Sequence, residues 1–202
     1  MNDNKFMSPP DYPELPGVEL TQKYSAGQGS NKNIAIQSST NLRKKLEREG
    51  YLVDFHTQIW DAVQKGEFVE VNDEIRHLHQ GLPFSFQLVN YVHKATSSST
   101  KLRVISNSSI SRVGGSLNEN ICCGQNLMNL AINVLNRWSC FGFCMLTDLS
   151  SAYRSVRTKP KTNSLRRFFW FRDPGDPNSM TELMVVRCNF GDSPTEWVTR
   201  PG

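Results

Sequence analysis

The sequence predicts an α+β fold, and three observations carry that reading. Two segments between Asn41 and Gln64 repeat apolar residues at helical spacing. Several later runs alternate or are rich in aromatic and β-branched residues, and Asp-Pro-Gly-Asp-Pro separates two apolar runs as a hairpin turn does. Composition agrees: 38% hydrophobic and 21% charged residues over 202 positions are the proportions of a globular chain with one sizeable core or two small ones.

Taken in order, residues 1–38 contain SPPDYPELPG and SAGQGSNKN, rich in Pro, Gly, Ser and Asn and poor in large apolar residues. This stretch is expected to be a disordered tail or linker. Asn41 to Glu49 reads as an amphipathic helix, with Ser39 or Thr40 as its cap, Leu42 and Leu46 four apart, charges on the other faces and Gly50 as its stop. A second helix fits Leu52 to Gln64, with Val53, Ile59, Trp60 and Val63 as its apolar stripe and Lys65-Gly66 at its end. Phe68 to Val71 is a short strand. The His77-Leu78-His79 pair invites a metal reading, but with no third ligand in view these are expected to be surface or capping histidines.

Leu82 to His93 alternates and is rich in aromatics, a strand with a proline near its start. A polar turn then leads to a strand over Leu102 to Ile105, which puts Lys101 and Arg103 two apart on one face, beside a Ser/Thr loop, as phosphate-gripping groups. Asn126 to Trp138 places Leu127, Leu130, Ala131, Val134, Leu135 and Trp138 on one helical face, expected to pack in the core. Phe141 to Thr147 is apolar and uncharged and ends at Asp148, the pattern of a buried strand with one carboxylate at its tip. On this motif alone Asp148 either caps a short helix or offers an oxygen ligand to a hard cation such as Mg²⁺. Leu165 to Phe171 and Met180 to Cys188 form the hairpin.

Charge and cysteines bound the class. Net charge is +4, but Lys94 to Arg112 and Arg154 to Arg172 hold four and seven basic residues with no acid, which points to a polyanion partner over the alternative of a solvated basic face. The five cysteines, Cys122, Cys123, Cys140, Cys144 and Cys188, are an odd number without an export signal, so reduced thiols are expected. Cys140 and Cys144 on a strand would stand ~13 Å apart, too far for one zinc ion. No apolar run approaches the ~18 residues of a spanning helix, so the reading is no membrane and a cytoplasmic location.

The order of parts resembles the fingers and first half of the palm of a reverse transcriptase, of the Bel/Pao class of LTR retrotransposons. The resemblance covers about residues 40 to 197 and rests on KLEREG with GEFVEV, SSSTKLRVISNSS, GGSLNENICCGQNLMNL, the strand ending in DLSSAY, RRFFWFRDPGDPNS and the FGDSP segment. It implies a disordered tail over 1–38, a helical lead-in over 39–80, and fingers with an incomplete palm, a partial right-hand polymerase, over 81–202. The implied function is RNA-directed DNA polymerisation by a retroelement polyprotein, of which the chain is a fragment. Its partners would be an RNA or DNA template with primer, dNTP and the remainder of the polyprotein.

The resemblance implies that Asp148 is the first metal-binding aspartate, with the Leu149 carbonyl on the same ion. It implies that Arg103 and Lys101 hold the incoming triphosphate. Tyr153 is implied to be the aromatic gate beneath the sugar, with Ala152 contributing backbone contact, and Phe190 and Gly191 to pack on the nascent base pair. Two Mg²⁺ ions serve such chemistry, and several carboxylates hold them. Three departures stand out: no acidic pair follows Pro194, Asn107 stands where the family has an acid, and the Phe190 segment is short before Ser193-Pro194. Asp148 alone cannot hold both ions, so the chain as it stands is expected not to polymerise. The alternatives are a non-enzymatic nucleic-acid-binding remnant of a degraded retrotransposon, or an inert derivative that binds nothing.

Overall fold

A computed structural model describes residues 31–94, 102–109, 116–118, 130–145, 154, 157, 158 and 160–188. The fold is mixed α+β with small antiparallel sheets. Helices α1 (Lys32–Glu49) and α2 (Leu52–Gln64) pack against a three-stranded sheet of order β1-β5-β4, built from β1 (Phe68–Glu70), β4 (Arg167–Phe171) and β5 (Met180–Val185). A second sheet is the antiparallel pair β2 (Leu88–His93) and β3 (Leu102–Asn107). Among the described residues no helix is long and apolar enough to cross a membrane.

Helix α1 begins at Lys32, inside the stretch expected to be a tail. Its buried residues Ala35, Ser39, Leu42, Arg43 and Leu46 continue one stripe towards the N-terminus, and small side chains at positions 35 and 39 let the helix lie close to strand β4. Ser39 and Thr40 are therefore not caps: the Ser39 hydroxyl donates to the Phe169 carbonyl at 2.8 Å and the Thr40 hydroxyl to the Ile36 carbonyl at 2.9 Å. The start is tied instead by the buried Asn31 amide, whose Nδ2 donates to the Phe86 carbonyl at 2.6 Å and whose Oδ1 accepts from the Phe86 N–H at 3.0 Å. At the other end Gly50 takes φ 76°, while the Tyr51 N–H reaches the Leu46 carbonyl and the Gly50 N–H the Glu47 carbonyl. That is the left-handed helix stop expected of glycine.

Helix α2 has the bounds the sequence predicts, but its buried stripe is Phe55, Ile59 and Ala62. Val53 is 71% exposed, because the stripe that includes Phe55 and Ile59 turns position 53 away from the sheet. Trp60 fixes the helix to the sheet through Nε1, which donates to the Phe171 carbonyl at 3.1 Å. In the core, Trp170 meets Phe55 edge-on at 4.7 Å, and Phe168 meets Phe68 at 5.2 Å, also edge-on, a favourable arrangement of ring quadrupoles.

The predicted hairpin is present: β4 and β5 pair from Arg167 opposite Met184 to Phe171 opposite Met180. Its turn is held by Asx bonds, the Asp173 and Asp176 carboxylates accepting from the Gly175 and Asn178 N–H groups, each at 2.8 Å. The Leu82–His93 run does not form one strand. Phe86 makes a parallel bridge to Arg167 at the edge of β4, and the chain then passes to β2. A short helix that the sequence reading missed, α3 (Asp73–Leu78), starts at Asn72, whose side chain accepts from the Ile75 N–H at 2.8 Å. Its signal was there: an Asn cap, two acids in the first turn and a His in the last.

Two apolar expectations fail. Helix α4 spans Ala131–Trp138, and its Leu130, Ile132, Leu135 and Trp138 are exposed; residues 126–129 lie outside the described part. Phe141 to Met145 is not a buried strand: it pairs with no described strand, and Phe143 is 94% exposed. An apolar run becomes a strand only where a neighbouring strand takes up its N–H and C=O groups.

Candidate nucleic-acid interface

Arg103 is the expected phosphate-gripping residue that the described structure contains. It lies on β3 opposite Val92 of β2, with Asn90 opposite Ile105 and Leu88 opposite Asn107. Facing pairs in an antiparallel ladder share a side, and side chains alternate along each strand. Arg103, Asn107, Asn90 and Val92 are therefore on the open face, while Leu102, Val104 and Val89 enter the core. Among the described residues no carboxylate pairs with Arg103, and Lys94, just beyond β2, is exposed. An open strand face with a guanidinium and no acid suits a phosphate oxygen.

Asn107, standing where an acid was expected, turns its Oδ1 to the Ser109 N–H at 2.9 Å. It closes the end of β3. Ser108 beside it is buried and accepts from Gln87 Nε2 at 2.6 Å.

The second basic stretch is less free than its sequence suggests. Arg154 pairs with Glu67 at 2.8 Å, Arg167 with Glu182 at 2.9 Å and Arg172 with Glu70 at 2.5 Å. Glu182 also takes Arg76 at 2.9 Å. Arg166 is buried and donates to the Arg187 carbonyl, to Asn163 Oδ1 and to the Thr158 hydroxyl. The acids come from outside the run, from β1 and its approach far earlier in the chain and from β5 across the hairpin, so an acid-free run of chain is not an acid-free surface. Of this stretch, Arg157 and Arg172 are exposed, Arg172 while paired with Glu70.

Lys101, Asp148, Leu149, Ala152, Tyr153, Phe190 and Gly191 lie outside the described residues. Among the described residues no group of His, Cys, Asp or Glu is placed to hold a metal ion.

Two histidines are shifted by their surroundings. His79 ends α3 and is buried, and its pKa is lowered by that burial and by the Arg167 charge. Burial also lowers His56, with Asp173 opposing. Neither nitrogen Nδ1 has a hydrogen-bond partner, which suits neutral rings. Cys140 and Cys144 are exposed thiols, and Cys188 is a buried thiol. The chain matches no model of a protein family and no curated protein sequence.

Proposed function

We propose that the chain is a reverse transcriptase fragment, fingers with part of a palm from a Bel/Pao-type retroelement, which binds a primer–template and takes part in RNA-directed DNA synthesis within the complete enzyme. The observation that carries the reading is the joint order of its sequence motifs, from the STKLR strand through DLSSAY to the hairpin. The acid-free open face around Arg103, on the strand where that order puts the triphosphate grip, supports it.

In this reading Arg103 and Lys101 hold the triphosphate. Tyr153 lies under the sugar and excludes a 2′-hydroxyl, with Ala152 beside it. Phe190 and Gly191 pack on the nascent base pair. Asp148 and the Leu149 carbonyl would hold one of two Mg²⁺ ions, which supply a primer 3′-oxygen activated for attack and neutralise the departing pyrophosphate.

A second reading is a nucleic-acid-binding remnant without catalysis. One experiment separates them. Fluorescence anisotropy with a labelled primer–template should show affinity falling steeply with salt, as counterions are released from neutralised phosphates, and Arg103→Ala should flatten the slope. A salt-independent or absent signal overturns both. Primer extension by a longer version carrying an acidic pair, abolished by Asp148→Asn, then supports the polymerase over the remnant.

A further inference from the structure

Arg103 stands on a two-stranded ribbon, and such a ribbon is marginal unless something else holds it. The ladder shows what does. Tyr91 and His93 flank Val92, the residue opposite Arg103, and pair with Val104 and Leu102. By the alternation of a strand they leave the sheet on the side away from Arg103. Both meet the junction of α1 and α2. The Tyr91 hydroxyl donates to the Glu49 carboxylate, Lys45 Nζ lies 4.9 Å from the centre of the Tyr91 ring, and the His93 ring stacks on Tyr51 at 4.8 Å with 25° between planes. The Glu49 bond favours the neutral phenol, and the Tyr91 pKa is raised accordingly. The helix end itself is set by Gly50.

We infer that Tyr91 and His93 are positioning residues: by pinning β2 to Glu49 and Tyr51 they fix where the Arg103 guanidinium meets its phosphate. The inference rests on the functional reading of the Arg103 face given above. A pinned strand presents the charge in one place, so less freedom is lost when the phosphate binds. Neither residue touches the ligand.

The test uses inorganic tripolyphosphate and a primer–template duplex as probes of the intact chain. Tyr91→Phe keeps the ring and removes the hydroxyl, and is expected to weaken binding on the order of fivefold, the worth of one hydrogen bond. The double variant Tyr91→Phe/Arg103→Ala should bind no more weakly than Arg103→Ala alone, since Tyr91 acts through Arg103. Additive losses overturn the inference. A second readout does not depend on binding: amide hydrogen exchange should quicken over residues 88–93 and 102–107 in Tyr91→Phe and His93→Ala, with α2 and the β4–β5 hairpin unchanged. Unchanged exchange in β2 and β3 also overturns it. If the wild-type chain binds neither probe the functional reading falls, and the exchange measurement still decides whether the two residues pin the strand.

Discussion

Glu182 uses both carboxylate oxygens, one on Arg167 and one on Arg76, and its side chain is only 4% exposed. Arg167 is itself buried, and a guanidinium left without its carboxylate in such a place is costly. Glu182→Gln is expected to destabilise the fold by on the order of 3 kcal/mol, read as a lower urea midpoint; a loss within measurement error would show that the pair is solvated. His79 gives the pH dependence. Its folded pKa lies below the ordinary 6.5, so the unfolded chain takes up the proton first as pH falls. Stability is then unchanged above about 6.5, declines below it and levels off once the folded pKa is passed. Urea melts at pH 7.5 and 5.5 should show that decline, and His79→Gln should reduce it. Equal slopes in the two proteins would assign the decline to other groups.

At the scale of elements, the Asn31 amide is the clearest case of a side chain standing in for backbone. It answers both the N–H and the C=O of Phe86 in a buried place. Asn31→Ala strands both groups and is expected to cost roughly 2 kcal/mol, with hydrogen exchange quickening at the start of α1 and at Phe86. An unchanged melting curve would mean that water replaces the amide. This residue also shows where sequence reading stops. Asn31 to Thr40 carries one large apolar stripe residue at most, and its helix is held by contacts to Phe86 and Phe169, which lie far along the chain. Helix α2 and the β4–β5 hairpin were legible, because apolar spacing and the DPGDP turn are local signals. The exposed Val53, the exposed α4 stripe and the runs of arginine were misread for one reason. Which face is covered, and which charge is answered, depends on partners that spacing does not name. Of the candidate site, Arg103 and the open face of β3 followed from alternation alone, whereas the Tyr91 and His93 contacts to Glu49 and Tyr51 needed the fold.

The whole molecule is tied together across its length. β1 lies within residues 39–80 and β5 within residues 81–202, yet the two pair from Phe68 opposite Val185 to Glu70 opposite Leu183. Arg154 with Glu67, Arg172 with Glu70 and Arg76 with Glu182 cross the same divide. The sheet therefore joins the two regions into one core, and the described arginines of the second basic stretch contribute more to that joint than to a nucleic-acid surface.

The placement of β5 between β1 and β4 bears on how the chain is made. In chain order α1, α2 and β1 come before the strands that complete their core: β4, whose Trp170 and Phe168 meet Phe55 and Phe68, and β5, which pairs with β1, lie near the end of the described chain. Until then those side chains face water, and local helix formation alone cannot hide them. The final packing of α1, α2 and β1 thus waits on Phe168 and Trp170 and on the pairing of β5 with β1.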